Sequence, residues 1–195
     1  MSDIDFRHRI GSLFATPVAR VLSHTPLTPN TVSWLGFLLT CGAGFLVARH
    51  YFLWGGIVVL IAGLMDSFDG ALARLTARVS RFGAILDSTL DRWSEGIVLI
   101  AVIYALAVDG SAWGAALGGV TMLMSFSVSY IRSRAEGMGV TCSEGWFTRV
   151  ERVVVISLGL IISQVIIALA VVAALSLLTS MQRLFVVRRK LRQEG

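Results

Sequence analysis

The sequence predicts an all-α integral membrane protein, in which an N-terminal amphipathic helix at the membrane interface precedes six transmembrane helices. Two observations support this fold class. Of the 195 residues, 55% are hydrophobic and the mean hydropathy is +0.77, too apolar for an ordinary soluble domain. Long apolar segments also alternate with short groups of arginine. We expect one membrane domain over residues 1–195, with the interfacial helix at 1–24 and the six-helix core at 25–195.

The N-terminal segment differs from the rest because charged residues interrupt its apolar ones. The apolar residues recur at helical spacing: Phe6, Ile10, Leu13, Phe14, Val18, Val21 and Leu22. This pattern is typical of a helix that lies in the membrane interface. Packing on the protein's own cytoplasmic face is an equally good interpretation, and the two are compatible. Asn30 or Thr31 then caps the first transmembrane helix.

The transmembrane helices follow from segment length, because a spanning helix needs about 20 apolar residues. Four segments fit: 25–48, 51–74, 82–108 and 110–131. The last apolar segment, 146–187, would extend about 63 Å as one helix, roughly twice a 30 Å hydrocarbon core. We therefore divide it into two helices with a turn near 162–165.

Basic residues indicate the orientation. Six spans place both termini on one side of the membrane, and 16 of the 17 Lys and Arg residues fall on that side, with only Arg49 opposite. This asymmetry predicts a multi-pass cell-membrane protein with both termini in the cytoplasm. Because the charges are dispersed between apolar segments, the net charge of +5 predicts no nucleic-acid partner. Two distant cysteines predict neither a disulfide framework nor a metal cluster.

Four aspartates stand out in this apolar chain. Asp66 and Asp69 end the second span, and Asp87 and Asp91 begin the third, so both pairs lie near the cytoplasmic end of a helical hairpin. Each pair shares one helix face. Clustered carboxylates raise one another's pKa unless cations lie among them, and oxygen ligands select Mg²⁺, Mn²⁺ or Ca²⁺. Four carboxylates can hold two such ions about 3.5–4 Å apart, as in displacement at phosphorus.

Two other interpretations of the aspartates remain open at this point. The carboxylates could pair with nearby arginines in a structural network: Arg74, Arg78, Arg81 and Arg92. They could also mark a proton or cation pathway of a transporter. Against a pathway, the acids cluster at one membrane edge, and Asp109 stands alone on the far side.

The spacing of these residues resembles a known family. The stretch from Asp66 to Asp91 matches D-x2-DG-x2-AR-x8-G-x3-D-x3-D, the motif of the CDP-alcohol phosphotransferases. The resemblance implies that a CDP-linked lipid gives its phosphatidyl group to an alcohol and that CMP leaves. It implies metal binding by Asp66, Asp69, Asp87 and Asp91 to two Mg²⁺ ions, with Mn²⁺ as the alternative, and proton acceptance by Asp91. It also implies a homodimer.

The same resemblance implies a nucleotide pocket for the CDP-lipid. Its members on the motif are Gly70, Ala73, Arg74 and Gly83, joined by Ser80 in the connecting loop and by the start of the first span: Pro29, Asn30, Thr31 and Val32. Nothing in this set separates CDP-diacylglycerol from an archaeal ether-lipid donor.

A second basic stretch bears on the acceptor alcohol. "SVSYIRSRAEG" and the later "TRVER" resemble a region of the bacterial phosphatidylinositol phosphate synthases, in which a serine, a lysine and a later arginine hold the phosphate of inositol phosphate. Here Arg132 replaces the lysine and Thr148 departs from the pattern. The implied phosphate site contains Ser129, Arg132, Arg149 and Arg152. We thus predict transfer from CDP-diacylglycerol to inositol 1-phosphate. Phosphatidylglycerol phosphate synthesis, with another phosphorylated polar alcohol, is the alternative within the family, and topology alone also accounts for single arginines.

Overall fold

The computed structural model describes residues 28–75, 80–142 and 144–194, with only the backbone at 66–75 and 194. The predicted interfacial helix at 1–24 lies outside the described residues. The described residues form six helices and no strand: α1 Pro29–Ala48, α2 Phe52–Leu75, α3 Arg81–Val108, α4 Ala112–Gly137, α5 Arg149–Ile161 and α6 Val165–Glu194. Each predicted core segment therefore contains one helix.

Three of the described helices are long and apolar enough to cross a membrane. These are α1, α4 and Val165–Gln193 of α6, while Phe52–Met65 of α2 forms a shorter apolar helix. Large apolar side chains cover the outside of the bundle; Leu38, Phe45 and Leu178 are about 60% exposed or more. The described part of the chain is thus all-helical, and its long apolar helices indicate a membrane protein. Helix α5 has only 13 residues, about 20 Å of helix.

The break in the last apolar segment is confirmed. Helix α5 ends at Ile161 and α6 begins at Val165. Ser163 has φ 58°, the left-handed conformation, and its N–H donates to the Leu160 carbonyl at 3.1 Å. The chain thus turns without Gly or Pro. Gly159 lies against Ala168, with no room for a Cβ, so α5 and α6 approach closely beside the turn.

The six helices close into a ring of neighbours. In cyclic order they are α1, α2, α5, α6, α4 and α3, and α3 packs again on α1. The core between them is apolar and includes Val47, Leu99, Leu160, Leu169 and Val172. The two helices that carry the four aspartates, α2 and α3, are therefore separated in the ring by α1, which packs on both.

The predicted caps of the first helix were wrong. Thr28 caps α1, and its Oγ1 accepts from the Thr31 N–H at 3.2 Å. Helix α1 begins at Pro29, because proline at the first helical position needs no hydrogen-bond partner for its nitrogen and has a helical φ. Asn30 and Thr31 consequently lie inside the first turn.

Candidate active site

The first turns of α1 and α3 lie side by side. Ser80 is the N-cap of α3, and its Oγ accepts from the Gly83 N–H at 2.9 Å. A Cβ at position 83 would lie 2.9 Å from this Oγ and 3.2 Å from Oδ1 of Asn30, so the close approach favours glycine. Three members of the predicted nucleotide pocket are therefore neighbours. The N-terminus of a helix favours anions such as phosphate.

A narrow cavity of about 40 Å³ lies between α1, α2, α3 and α5. Its polar lining comes from α1, α3 and α5: Ser33, Thr40, Asp87, Asp91, Ser94, Glu95 and Arg149. Ala62 and Gly63 of α2 form the facing wall. A cavity of this size holds a few water molecules or ions.

Asp91 lies between two arginines at the cavity wall. Nη1 of Arg149 lies 2.7 Å from its Oδ1, and Nη1 of Arg92 lies 3.7 Å from its Oδ2. Asp87 precedes Asp91 by one helical turn and lines the same wall. The sequence spacing predicted that both carboxylates lie on one face of α3, and both line this cavity.

The remaining predicted metal ligands belong to α2. Positions 66 and 69 follow Ala62 by four and seven residues, so they continue the face of α2 that lines the cavity. Among the residues whose side chains are described, no group of three or more His, Cys, Asp or Glu could hold a metal. The carboxylates of α3 provide the hard oxygen atoms that divalent ions such as Mg²⁺ and Mn²⁺ prefer. The residues present therefore fit a divalent metal.

The sequence did not predict a buried ion pair that lies one helical turn after Asp91. Nε and Nη2 of Arg152 donate to Oε1 and Oε2 of Glu95 at 2.6 and 3.0 Å. Both side chains are 2% exposed or less. Because Glu95 lies one turn after Asp91, and Arg152 nearly one turn after Arg149, two successive ion pairs connect α3 to α5. Asp87, Asp91 and Glu95 are spaced by four residues, so the sequence could have indicated that Glu95 lies on the same face of α3.

The predicted acceptor-phosphate residues lie in different surroundings. Arg149 lines the cavity, and Arg152 is buried against Glu95. Arg132 is exposed at the end of α4 and pairs with Glu136 at 2.8 Å. Ser129 lines a groove between α3 and α4. Arg92 lines the same groove and also contacts Asp91, so it connects the groove with the cavity.

The nucleotide-pocket residues of α2 are described by their backbone alone. Gly70, Ala73 and Arg74 lie in the last two turns of this helix. On α1, Val32 is buried and lines the cavity, whereas Pro29, Asn30 and Thr31 are in the first turn.

Comparison with known proteins gives a consistent set of relatives. The model of the CDP-alcohol phosphatidyltransferase family matches residues 26–187. An archaetidylinositol phosphate synthase of Pyrococcus horikoshii is 34% identical over 176 residues, which cover 89% of this chain and 90% of the relative. A phosphatidylinositol phosphate synthase of Mycobacteroides abscessus is 33% identical over 181 residues, which cover 88% and 82% of the two chains.

Solved structures agree with these relatives. The crystal structure of Mycobacterium tuberculosis phosphatidylinositol phosphate synthase with CDP-DAG bound has a TM-score of 0.81 and 30% identity, and the match covers 89% of this chain and 92% of that one. The same enzyme in complex with manganese and citrate has a TM-score of 0.80 and 31% identity, with 89% and 88% covered.

Proposed function

Because the chain belongs to the CDP-alcohol phosphatidyltransferase family, we propose that it transfers a phosphatidyl group from CDP-diacylglycerol to inositol 1-phosphate and releases CMP. The chain is a membrane-bound transferase, which decides against the cation-transporter alternative. The names of both kinds of relative include an inositol phosphate lipid, and this supports inositol phosphate as the acceptor. Their names differ in the lipid, so an archaeal ether-lipid donor is the alternative.

One observation carries this proposal: the carboxylates of Asp87 and Asp91 line one wall of the cavity, and the face of α2 that continues to positions 66 and 69 lines the other. We assign the binding of two Mg²⁺ ions, or of Mn²⁺, to Asp66, Asp69, Asp87 and Asp91. A manganese complex of a similar enzyme supports a divalent ion. When bound, such ions offset the charge of a pyrophosphate and of the leaving CMP.

Asp91 is the residue proposed to take the proton of the attacking hydroxyl. Arg149 holds Oδ1 at 2.7 Å, whereas the nearest nitrogen of Arg92 is 3.7 Å from Oδ2. A guanidinium nitrogen therefore lies near each carboxylate oxygen, and the two arginines hold the side chain at the cavity wall. A base within hydrogen-bond reach of the hydroxyl contributes about 10²–10⁴-fold in rate.

The CDP moiety is assigned to the adjoining first turns of α1 and α3. These supply Pro29, Asn30, Thr31, Val32, Ser80 and Gly83, and α2 adds Gly70, Ala73 and Arg74. The contact between Gly83 and Asn30 supports this grouping, because it brings two helix N-termini together.

The acceptor phosphate is assigned chiefly to Arg149, because this guanidinium lines the cavity next to Asp91. Ser129 and Arg132 of α4 would meet the phosphorylated alcohol from the neighbouring groove. Arg152 supports the site through its pair with Glu95, which leaves its side chain 1% exposed. A guanidinium gives charge-assisted, directional hydrogen bonds to phosphate.

Orientation and assembly complete the proposal. All six helices cross the membrane as one domain over 1–195, with the interfacial helix at 1–24 before them. The active site and both termini face the cytoplasm, which the arginine asymmetry supports. The lipid tails then remain in the bilayer while the polar alcohol arrives from the cytosol. The active form is a homodimer.

The experiment is a panel of acceptors with the purified chain in lipid nanodiscs, CDP-diacylglycerol and MgCl₂. We expect CMP release with inositol 1-phosphate, and none with unphosphorylated inositol or after EDTA. Release with glycerol 3-phosphate instead would replace the proposed acceptor by that of phosphatidylglycerol phosphate synthesis. No CMP with any alcohol, and with either a diacyl or an ether-lipid donor, would overturn the proposal.

A further inference from the structure

The connection between α4 and α5, residues 138–148, is fixed to the cytoplasmic end of α6. Arg183 of α6 is 3% exposed. Its Nε donates to the Glu144 carbonyl at 2.9 Å, and its Nη1 donates to the Val128 carbonyl at 2.6 Å. A single guanidinium thus bonds both this connection and the body of α4.

A second cation of α6 holds the same connection. Lys190 donates through Nζ to the Thr141 carbonyl at 2.8 Å and to Oε1 of Glu144 at 2.7 Å. The hydrogen bond from Lys190 lowers the pKa of Glu144. Between these contacts, Cys142 is fully buried in a small apolar cluster with Ala135, Val140 and Val187. The connection is therefore packed against the bundle over most of its described length.

Gly145 allows the close approach of Arg183. Its φ is +145°, a conformation that residues with a side chain rarely adopt. A Cβ at this position would lie 3.0 Å from Nε of Arg183 and 3.1 Å from Cγ2 of Thr179. Both the conformation and the space at position 145 thus favour glycine.

One carbonyl bonded by Arg183 adjoins the proposed acceptor site on α4, and the other lies in the connection that leads to α5. Val128 precedes Ser129 on α4. On the other side, the connection ends at Thr148, which forms a capping box with Glu151. Arg149 then begins α5, at 2.7 Å from Asp91. Arg183 therefore bonds to α4 beside Ser129 and to the connection five residues before Arg149, although it does not line the cavity.

The energetic cost of this arrangement argues for a purpose beyond stability. Burying a cation is unfavourable unless its donors are satisfied, and an apolar side chain of similar volume is often as stable. The planar fork of a guanidinium can bond two carbonyls in fixed directions, which an ammonium cannot do as well. Resting on the proposed function, we propose that Arg183 is a positioning residue of the acceptor site, which fixes α4 and the start of α5 at the spacing that the phosphorylated alcohol requires.

The test compares steady-state kinetics of Arg183→Met, Arg183→Lys and the control Arg188→Met, which removes an exposed charge from the same helix. We expect Arg183→Met to raise the KM for the phosphorylated alcohol roughly tenfold, corresponding to about 1.4 kcal/mol, while the KM for CDP-diacylglycerol changes less than about twofold. Arg183→Lys should recover part of the loss, and Arg188→Met should match the wild type.

A second readout follows the connection directly. With Cys41→Ser in all chains, maleimide labelling reports Cys142, which should react slowly in the wild type and much faster in Arg183→Met. Gly145→Ala disturbs the same contact from the backbone side and should show the same shift in acceptor KM. If Arg183→Met does not fold, as judged by gel filtration, the acceptor KM of Gly145→Ala tests the proposal instead.

Equal changes in both KM values, or an unchanged acceptor KM with exposed Cys142, would overturn the positioning role. The acceptor panel with the wild type tests the proposed function separately from the role of Arg183. If the wild type uses another phosphorylated alcohol, the proposed acceptor fails, and the effect of Arg183 is then measured on that alcohol. If the wild type releases no CMP with any alcohol, both proposals fail, and faster labelling of Cys142 alone would show only a structural role for Arg183.

Discussion

Asp91 and Glu95 are one helical turn apart on α3 and have different surroundings. Both line the cavity, but the Asp91 side chain is 13% exposed, whereas that of Glu95 is 2% exposed and is paired with Arg152. The spacing of charged residues in the sequence was sufficient to predict that Asp87 and Asp91 share one face of α3, and both line the cavity. It could not identify the pairing of Glu95 with Arg152, because the two residues belong to helices whose proximity is decided by packing of the whole bundle.

Substitution of Asp91 tests the proton acceptor. Asp91→Asn keeps the shape of the side chain but removes the proton-accepting oxygen, so kcat should fall by about 10²-fold or more. Binding of the CDP-lipid, measured by CDP displacement, should change little. Asp109→Asn at the opposite membrane edge is the matched control and should retain activity. A fully active Asp91→Asn would remove Asp91 from the chemistry.

The buried pair of Glu95 and Arg152 gives a prediction on stability. Glu95→Gln leaves a guanidinium buried without its counter-charge and should cost about 3–5 kcal/mol. The double variant Glu95→Met, Arg152→Met removes both charges and should be more stable than Glu95→Gln. Thermal unfolding in detergent measures both effects. A double variant less stable than Glu95→Gln would contradict the description of these residues as a mutually compensated pair.

The helices show which elements can be predicted from hydropathy and where that method fails. Segment length was enough to predict the break near 162–165, although Ser163 and not Gly or Pro occupies the left-handed position. The caps Asn30 and Thr31 were wrong because α1 begins at Pro29, which makes Thr28 the N-cap. The fixation of residues 138–148 by Arg183 could not be foreseen, because an arginine near a membrane edge is explained by topology alone.

The stability of the connection between α4 and α5 should depend on pH. Lys190 lowers the pKa of Glu144 below its ordinary value of 4.5. The folded state therefore binds this proton less tightly than the unfolded state, so the stabilisation is present above pH 4.5 and is lost as the pH falls through the lowered pKa. Hydrogen exchange of residues 138–148, corrected for intrinsic rates, should show falling protection in that range.

Two substitutions control this effect. Glu144→Gln should lower protection of the connection at neutral pH and remove most of the acid-dependent loss. Glu136→Gln changes a carboxylate that pairs with Arg132 on the surface of α4, and it should leave the acid-dependent loss in place. An acid-dependent loss that persists in Glu144→Gln would exclude Glu144 as its source.

The arrangement of the whole bundle was the least predictable feature. The sequence indicated the number of core helices and the aspartate pairs, but not the ring order, because in a membrane both lipid-facing and buried surfaces are apolar. That order places α1 between α2 and α3. It also brings α5 to the cavity, and with it Arg149. The two helices that carry the aspartates, α2 and α3, therefore form two walls of a cavity, and α1 and α5 also line it.

We propose that the cavity bounded by α2 and α3 holds divalent metal through the four aspartates. Titration of the purified chain with Mn²⁺, followed by electron paramagnetic resonance, tests it most directly and does not depend on turnover. We expect two bound ions per chain, displaced by Mg²⁺, with binding lost in Asp87→Asn and retained in Asp109→Asn. Absence of bound Mn²⁺ in the wild type, or unchanged binding in Asp87→Asn, would contradict the account.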